Sequence, residues 1–165
     1  MQGMIAHHAQ ALYMTRLVPS RSRSRDVRTL AERIEVSQRE EIARMAAWLR
    51  RRGQPVPDTS HVVQGHDMPE HRMPGMLTSG QRRELEAARG EAFDRIFLEL
   101  MIRHHEGAIV MVQQLRSRPG GGQDAEAWLF SAEVDADQRA EISRMRRMLA
   151  ARDSPDDGPQ VIFRP

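Results

Sequence analysis

The chain has 165 residues, 39% of them apolar with few aromatics, which suits one helical domain with a core of Leu, Ile, Val, Ala and Met. It contains no Cys, so disulfides, thiolate metal sites and thiol catalysis are excluded, and no apolar run reaches the length of a membrane span. The sequence pI is 10.2, yet the basic set is all Arg and the net charge is only +2. Its densest basic spots, Arg21 to Arg25 and Arg50 to Arg52, fall at helix ends or turns, so no nucleic-acid partner is expected.

A 3.6-residue apolar period predicts four long helices. The first runs from the first residue to about Val18 and is closed by Pro19. The second runs from about Arg25 to Arg52, closed by Gly53 and Pro55. After a long connector, a short helix near Ser79–Arg89 precedes a third long helix from about Glu91 to Arg118. The fourth spans about Gln123 to Arg152, and the tail 153–165 is expected to be disordered. Short turns within each pair and a long crossover between them predict an all-α four-helix bundle. It forms one domain, 1–152, with half-repeats 1–52 and 91–152 joined by a connector, 53–78.

The half-repeats share a pattern, M-x2-H-H-x2-A-x2-M. It reads Met4, His7, His8, Ala11, Met14 in the first and Met101, His104, His105, Ala108, Met111 in the second. Downstream, Gln38, Glu41, Ile42, Arg44 and Met45 match Gln138, Glu141, Ile142, Arg144 and Met145. Met1 aligns with Leu98, so the first helix lacks a counterpart of Glu91–Phe97, and the polypeptide is expected to begin upstream of Met1.

Adjacent residues on a helix diverge by about 100°. Each block therefore offers two imidazoles flanking a thioether, Met4 or Met101, with a small Ala leaving room beside them. Imidazole suits copper, zinc, iron and nickel, while thioether is soft and favours Cu(I). Met at helical spacing is also ordinary core filler, and a half-buried His is often a structural partner of a carboxylate such as Glu41 or Glu141. Gln38, Glu41, Gln138 and Glu141 could equally fix imidazole tautomers around a metal. The connector favours metal, because His61, His66, Met68, His71, Met73 and Met76 lie in Pro/Gly-rich sequence that offers Met no core to fill. No helical Glu-x-x-His of the di-iron type occurs, no His-Glu-x-x-His, and nothing marks a nucleophile with its base, so an enzyme is not expected.

These blocks, with Phe93 and Asp94 ahead of the second, Gln138 to Met145, and the His66 to Met76 lead-in, resemble the bacterial Domain of Unknown Function 305 family over nearly the whole chain to about Arg152. The resemblance implies a ferritin-like bundle, usually exported behind a signal or lipid anchor. Some relatives are periplasmic copper-binding proteins associated with copper resistance. By position, the family's histidine pairs are His7, His8, His104 and His105, preceded by Met4 and Met101.

The sequence thus predicts an extracytoplasmic copper-binding protein that sequesters copper, as Cu(I) or Cu(II), or passes it to a copper-accepting protein. Zinc is the weaker candidate. A helical interaction module with a structural His-Met core is the alternative, and a metal oxidase a further one. Two equivalent sites and one shared site are both compatible with the repeat.

Overall fold

The computed structural model describes residues 1–63, 73–121 and 123–153, which form six helices and no strand. They are α1 (Gln2–Arg21), α2 (Arg25–Arg51), α3 (Ser60–Val63), α4 (Ser79–Ala87), α5 (Gly90–Ser117) and α6 (Ala125–Asp153). The helix starts follow local chemistry. Ser24 caps α2 by accepting from the Val27 amide, and Thr78 forms a reciprocal capping box with Gln81 at α4. Asp124 accepts from the Ala127 amide at the start of α6.

Two helix boundaries depart from expectation. Pro19 does not end α1, which continues through it to Arg21. Proline lacks the amide that would bond to the Thr15 carbonyl, and α1 runs only two residues beyond it. The connector also holds the short α3, whose Val62 is buried. Its four residues are too few to display a helical period.

The four long helices form a bundle in which each runs antiparallel to its neighbours. α1 meets α2 at His8 and Glu41, and α5 meets α6 at His105 and Glu141. α1 crosses α5 at His7 and His104. α2 and α6 are joined along their length, by Arg51 with Glu126, Arg44 with Glu133, and Arg152 with Ser24. The apolar interior divides into two clusters. The larger contains Tyr13, Met14, Leu30, Ile34, Phe93, Phe97, Leu98, Met101 and Met145. The smaller contains Ile5, Met45, Leu49, Val112, Phe130 and Val134.

The end of the connector is strapped across α1 and α5. On α5 the contact depends on Gly107, where an added Cβ would lie 2.1 Å from the Pro74 carbonyl oxygen. Gly75 faces it with φ of 77°, and a Cβ there would lie 2.6 Å from the Arg103 oxygen. Both neighbours are backbone and cannot swing aside as a side chain would. On α1 the sequence counterpart of Gly107 is Gln10, which uses its buried Oε1 to accept from the Leu77 amide at 2.8 Å. Gly107→Ala is therefore expected to displace the strap and cost about 1–3 kcal/mol, in the range of overpacking substitutions. Chemical denaturation would measure it, and a loss below about 0.5 kcal/mol would show that the contact is not constraining.

Candidate metal-binding layer

Midway along the bundle, all four block histidines are buried, each at most 1% exposed. The two blocks repeat one local geometry. Rings of His7 and His8 lie 6.3 Å apart at 58°, and those of His104 and His105 lie 6.1 Å apart at 58°. At the helix crossing, the His7 and His104 rings face each other with centroids 3.9 Å apart and a tilt of 33°. The outer pair turns away to α2 and α6. His8 Nε2 meets Glu41 Oε2, and His105 Nε2 meets Glu141 Oε2 at 2.6 Å.

Buried imidazole needs its polar atoms satisfied, and in the inner pair backbone carbonyls satisfy Nε2. His7 Nε2–H donates to the Pro74 carbonyl at 2.9 Å, and His104 Nε2–H donates to the His7 carbonyl at 3.0 Å. A carbonyl can only accept, which places the proton on Nε2. Burial lowers the His7 pKa to about 3, helped by the neighbouring His8. Burial likewise holds His104 well below its ordinary value, with His7 the next cause. Both rings are thus neutral near pH 7, with the lone pair on Nδ1. None of the four histidine Nδ1 atoms has a hydrogen-bond partner among the described residues. The same holds for both side-chain polar atoms of Gln38 and of Gln138, at 0% and 1% exposure.

Carboxylates gather on the α2 and α6 side. Asp137 is held above its usual range, first by burial and then by the charges of Glu41, Glu141 and Glu133. Ser37, the sequence counterpart of Asp137, instead donates to Glu41 Oε1 at 3.3 Å. The two outer histidine pairs therefore have different surroundings in spite of the repeat.

Of the sequence-predicted residues, the four histidines, Glu41 and Glu141 come together in this layer. Gln38 and Gln138 sit one turn along from the glutamates on α2 and α6. The two block methionines separate. Met101 is sealed in the larger apolar cluster, whereas Met4 is half-buried beside the smaller one. In the connector, His61 is exposed on α3, Met76 is buried, and Met73 is half-buried. His66, Met68 and His71 lie outside the described residues. The layer also depends on Pro74, which the sequence did not mark, because a backbone carbonyl supplied across 67 residues has no local signature.

No helix among the described residues is long and apolar enough to cross a membrane. The model of the family named Domain of unknown function (DUF305) matches residues 1–149. A search of curated proteins found no match. Among solved structures, a DUF305 fragment from Deinococcus radiodurans is 38% identical, with a TM-score of 0.73 over 91% of this chain and 92% of that one. A Streptomyces coelicolor DUF305 protein, provisionally described as secreted, is 26% identical with a TM-score of 0.72, covering 90% and 88% of the two chains. CopM in its Cu(I)-bound form is 23% identical with a TM-score of 0.69, over 93% and 97%, which is a likeness of fold. Its Cu(II)-bound form is 25% identical with a TM-score of 0.67, over 90% and 91%.

The buried neutral imidazoles set a pH dependence. Below about pH 6.5 the unfolded chain takes up protons that folded His7 and His104 refuse, so stability falls as pH drops toward 3. Each fully refused proton contributes a slope of about 1.4 kcal/mol per pH unit. Urea unfolding at pH 7.5, 5.5 and 4.5 is expected to show this loss, and His7→Gln and His104→Gln to flatten it. Equal slopes in wild type and both variants would contradict the assignment.

Proposed function

Because the chain belongs to the DUF305 family, we propose that it is an extracytoplasmic copper-binding protein that sequesters the metal or hands it to an acceptor protein, without catalytic turnover. The observation that carries this reading is the buried layer of four histidines whose Nε2 atoms are all tied while their Nδ1 atoms lack partners among the described residues. Tying one ring nitrogen to a carboxylate or carbonyl orients the ring and raises the basicity of the other, the usual support given to a metal-binding imidazole. His7, His8, His104 and His105 would supply nitrogen to copper through Nδ1. Glu41 and Glu141 would hold the outer rings in that tautomer.

Copper is favoured over zinc by the methionines near the layer, since thioether is a poor zinc ligand and a good one for Cu(I). Copper-bound CopM has the same fold, and the Streptomyces relative's description favours an extracytoplasmic location. Both support the reading by likeness only.

A specific observation favours the alternative, a non-metal helical module with a structural polar layer. Among the described residues, no group of three or more His, Asp or Glu side chains is placed to hold one ion. On that reading the histidines only join the four helices.

The two readings separate in an anaerobic Cu(I) and Cu(II) titration against a chromophoric chelator. Glu41→Gln and Glu141→Gln keep shape and a hydrogen-bonding group, and are expected to weaken copper binding by roughly 10–100-fold. Replacing the four histidines by Ala is expected to abolish that component. Unchanged copper affinity in folded variants would leave the layer structural.

A further inference from the structure

The apolar clusters treat equivalent methionines differently. Met101 and Met145 are fully enclosed with Phe93, Phe97 and Leu98. Met45, the counterpart of Met145, is also buried, at 1% exposure, but Met4, the counterpart of Met101, is only half-buried, and Met4 and Met45 both line an open pocket of about 270 Å³. Met73 from the connector and Met111 from α5 line the same pocket, with Met1 beside them. Met73 and Met111 converge over Gly3, where an added Cβ would stand 3.8 Å from Met73 Sδ and 3.6 Å from Met111 Cε. Five of the fourteen described lining residues are thus methionine, in a chain with eleven among 165. Methionine used as filler closes the space around it. Here the thioethers surround a space that solvent reaches.

The rest of the wall decides what such a space accepts. It is made mainly of Val112, Leu115, Phe130 and Val134, with Gln114, Arg118 and Ser131 as its polar groups. Among the described residues it contains no carboxylate and no imidazole. A hard or divalent cation would lose its hydration without gaining charged or oxygen-rich ligands, and Arg118 would oppose it. A soft monovalent ion has the least hydration to lose and gains the most from neutral sulfur.

We propose that this pocket is a second metal site, separate from the histidine layer, that binds Cu(I), and its chemical analogue Ag(I), through the thioethers of Met4, Met45, Met73 and Met111. Each ligand comes from a different element: α1, α2, the connector and α5 respectively. Ion binding would therefore tie the end of the connector to the bundle. The site requires no copper at the imidazoles, so it stands or falls independently of the histidine layer.

Silver is the first probe, because it has one stable oxidation state in water and cannot confuse binding with redox chemistry. With ¹³C-methyl-labelled methionine, one equivalent of Ag(I) is expected to shift the methyl resonances of Met4, Met45, Met73 and Met111, leaving Met101 and Met145 in place. Met73→Leu with Met111→Leu conserves volume, and is expected to weaken Cu(I) binding about tenfold or more in anaerobic chelator competition. His104→Gln is expected to leave this component unchanged. Silver that shifts none of the four methyls, or Cu(I) held as tightly by the folded Leu variant, would overturn the proposal. Copper lost with the histidines but kept by the Leu variant would overturn the pocket while leaving the layer as the copper site. If the Leu variant does not fold, the wild-type methyl shifts decide the question alone.

Discussion

Four imidazoles buried where α1 crosses α5 set the terms for the rest of the bundle. A buried ring nitrogen without a partner costs about 1–3 kcal/mol, so each Nε2 has to be met by a group carried there by another part of the chain. Glu41 and Glu141 meet the outer pair, which fixes the register of α2 on α1 and of α6 on α5. The inner pair is met by carbonyls, one from α1 and one from the connector. The connector must therefore return to the middle of the bundle, and the Gly75 and Gly107 contact lets its backbone come close enough.

That strap is also where the repeat loses its symmetry. Two equal hairpins would present two equal faces, but one chain has only one connector to lay across them. Gln10 holds it by a side-chain hydrogen bond and Gly107 by leaving room for it. Phe93 and Phe97 fill the larger apolar cluster, while the methionine pocket lies beside the smaller one. Near-identical blocks thus acquire different chemistry: Met101 is core, while Met4 faces a space that could hold an ion.

The helices and the paired histidine blocks were legible because their signals are local. Periodicity and the His-His-Met spacing both follow from residues a turn or two apart, whereas the pairing of His8 with Glu41 and of His105 with Glu141 needed the repeat to suggest it. Pro19 was misread as a stop because sequence shows the missing amide but not how close it lies to the natural helix end. α3 was too short for a period. Nothing local links Met4, Met45, Met73 and Met111, which meet only through the antiparallel register of α1 on α5 and the return of the connector. The Pro74 carbonyl under His7 escaped for the same reason. The connector histidine His66 and its neighbours Met68 and His71 lie outside the described residues, so the metal binding expected of them stands on sequence alone.

On the proposed reading, imidazole and thioether groups inside the bundle hold copper. The most direct measurement is anomalous diffraction at the copper edge from crystals loaded with Cu(I) under anaerobic conditions. Peaks are expected within bonding distance of the methionine sulfurs around Met73 and Met111 or of the Nδ1 atoms of the histidine layer. Copper found only on the outer surface, or none at all, would contradict that reading.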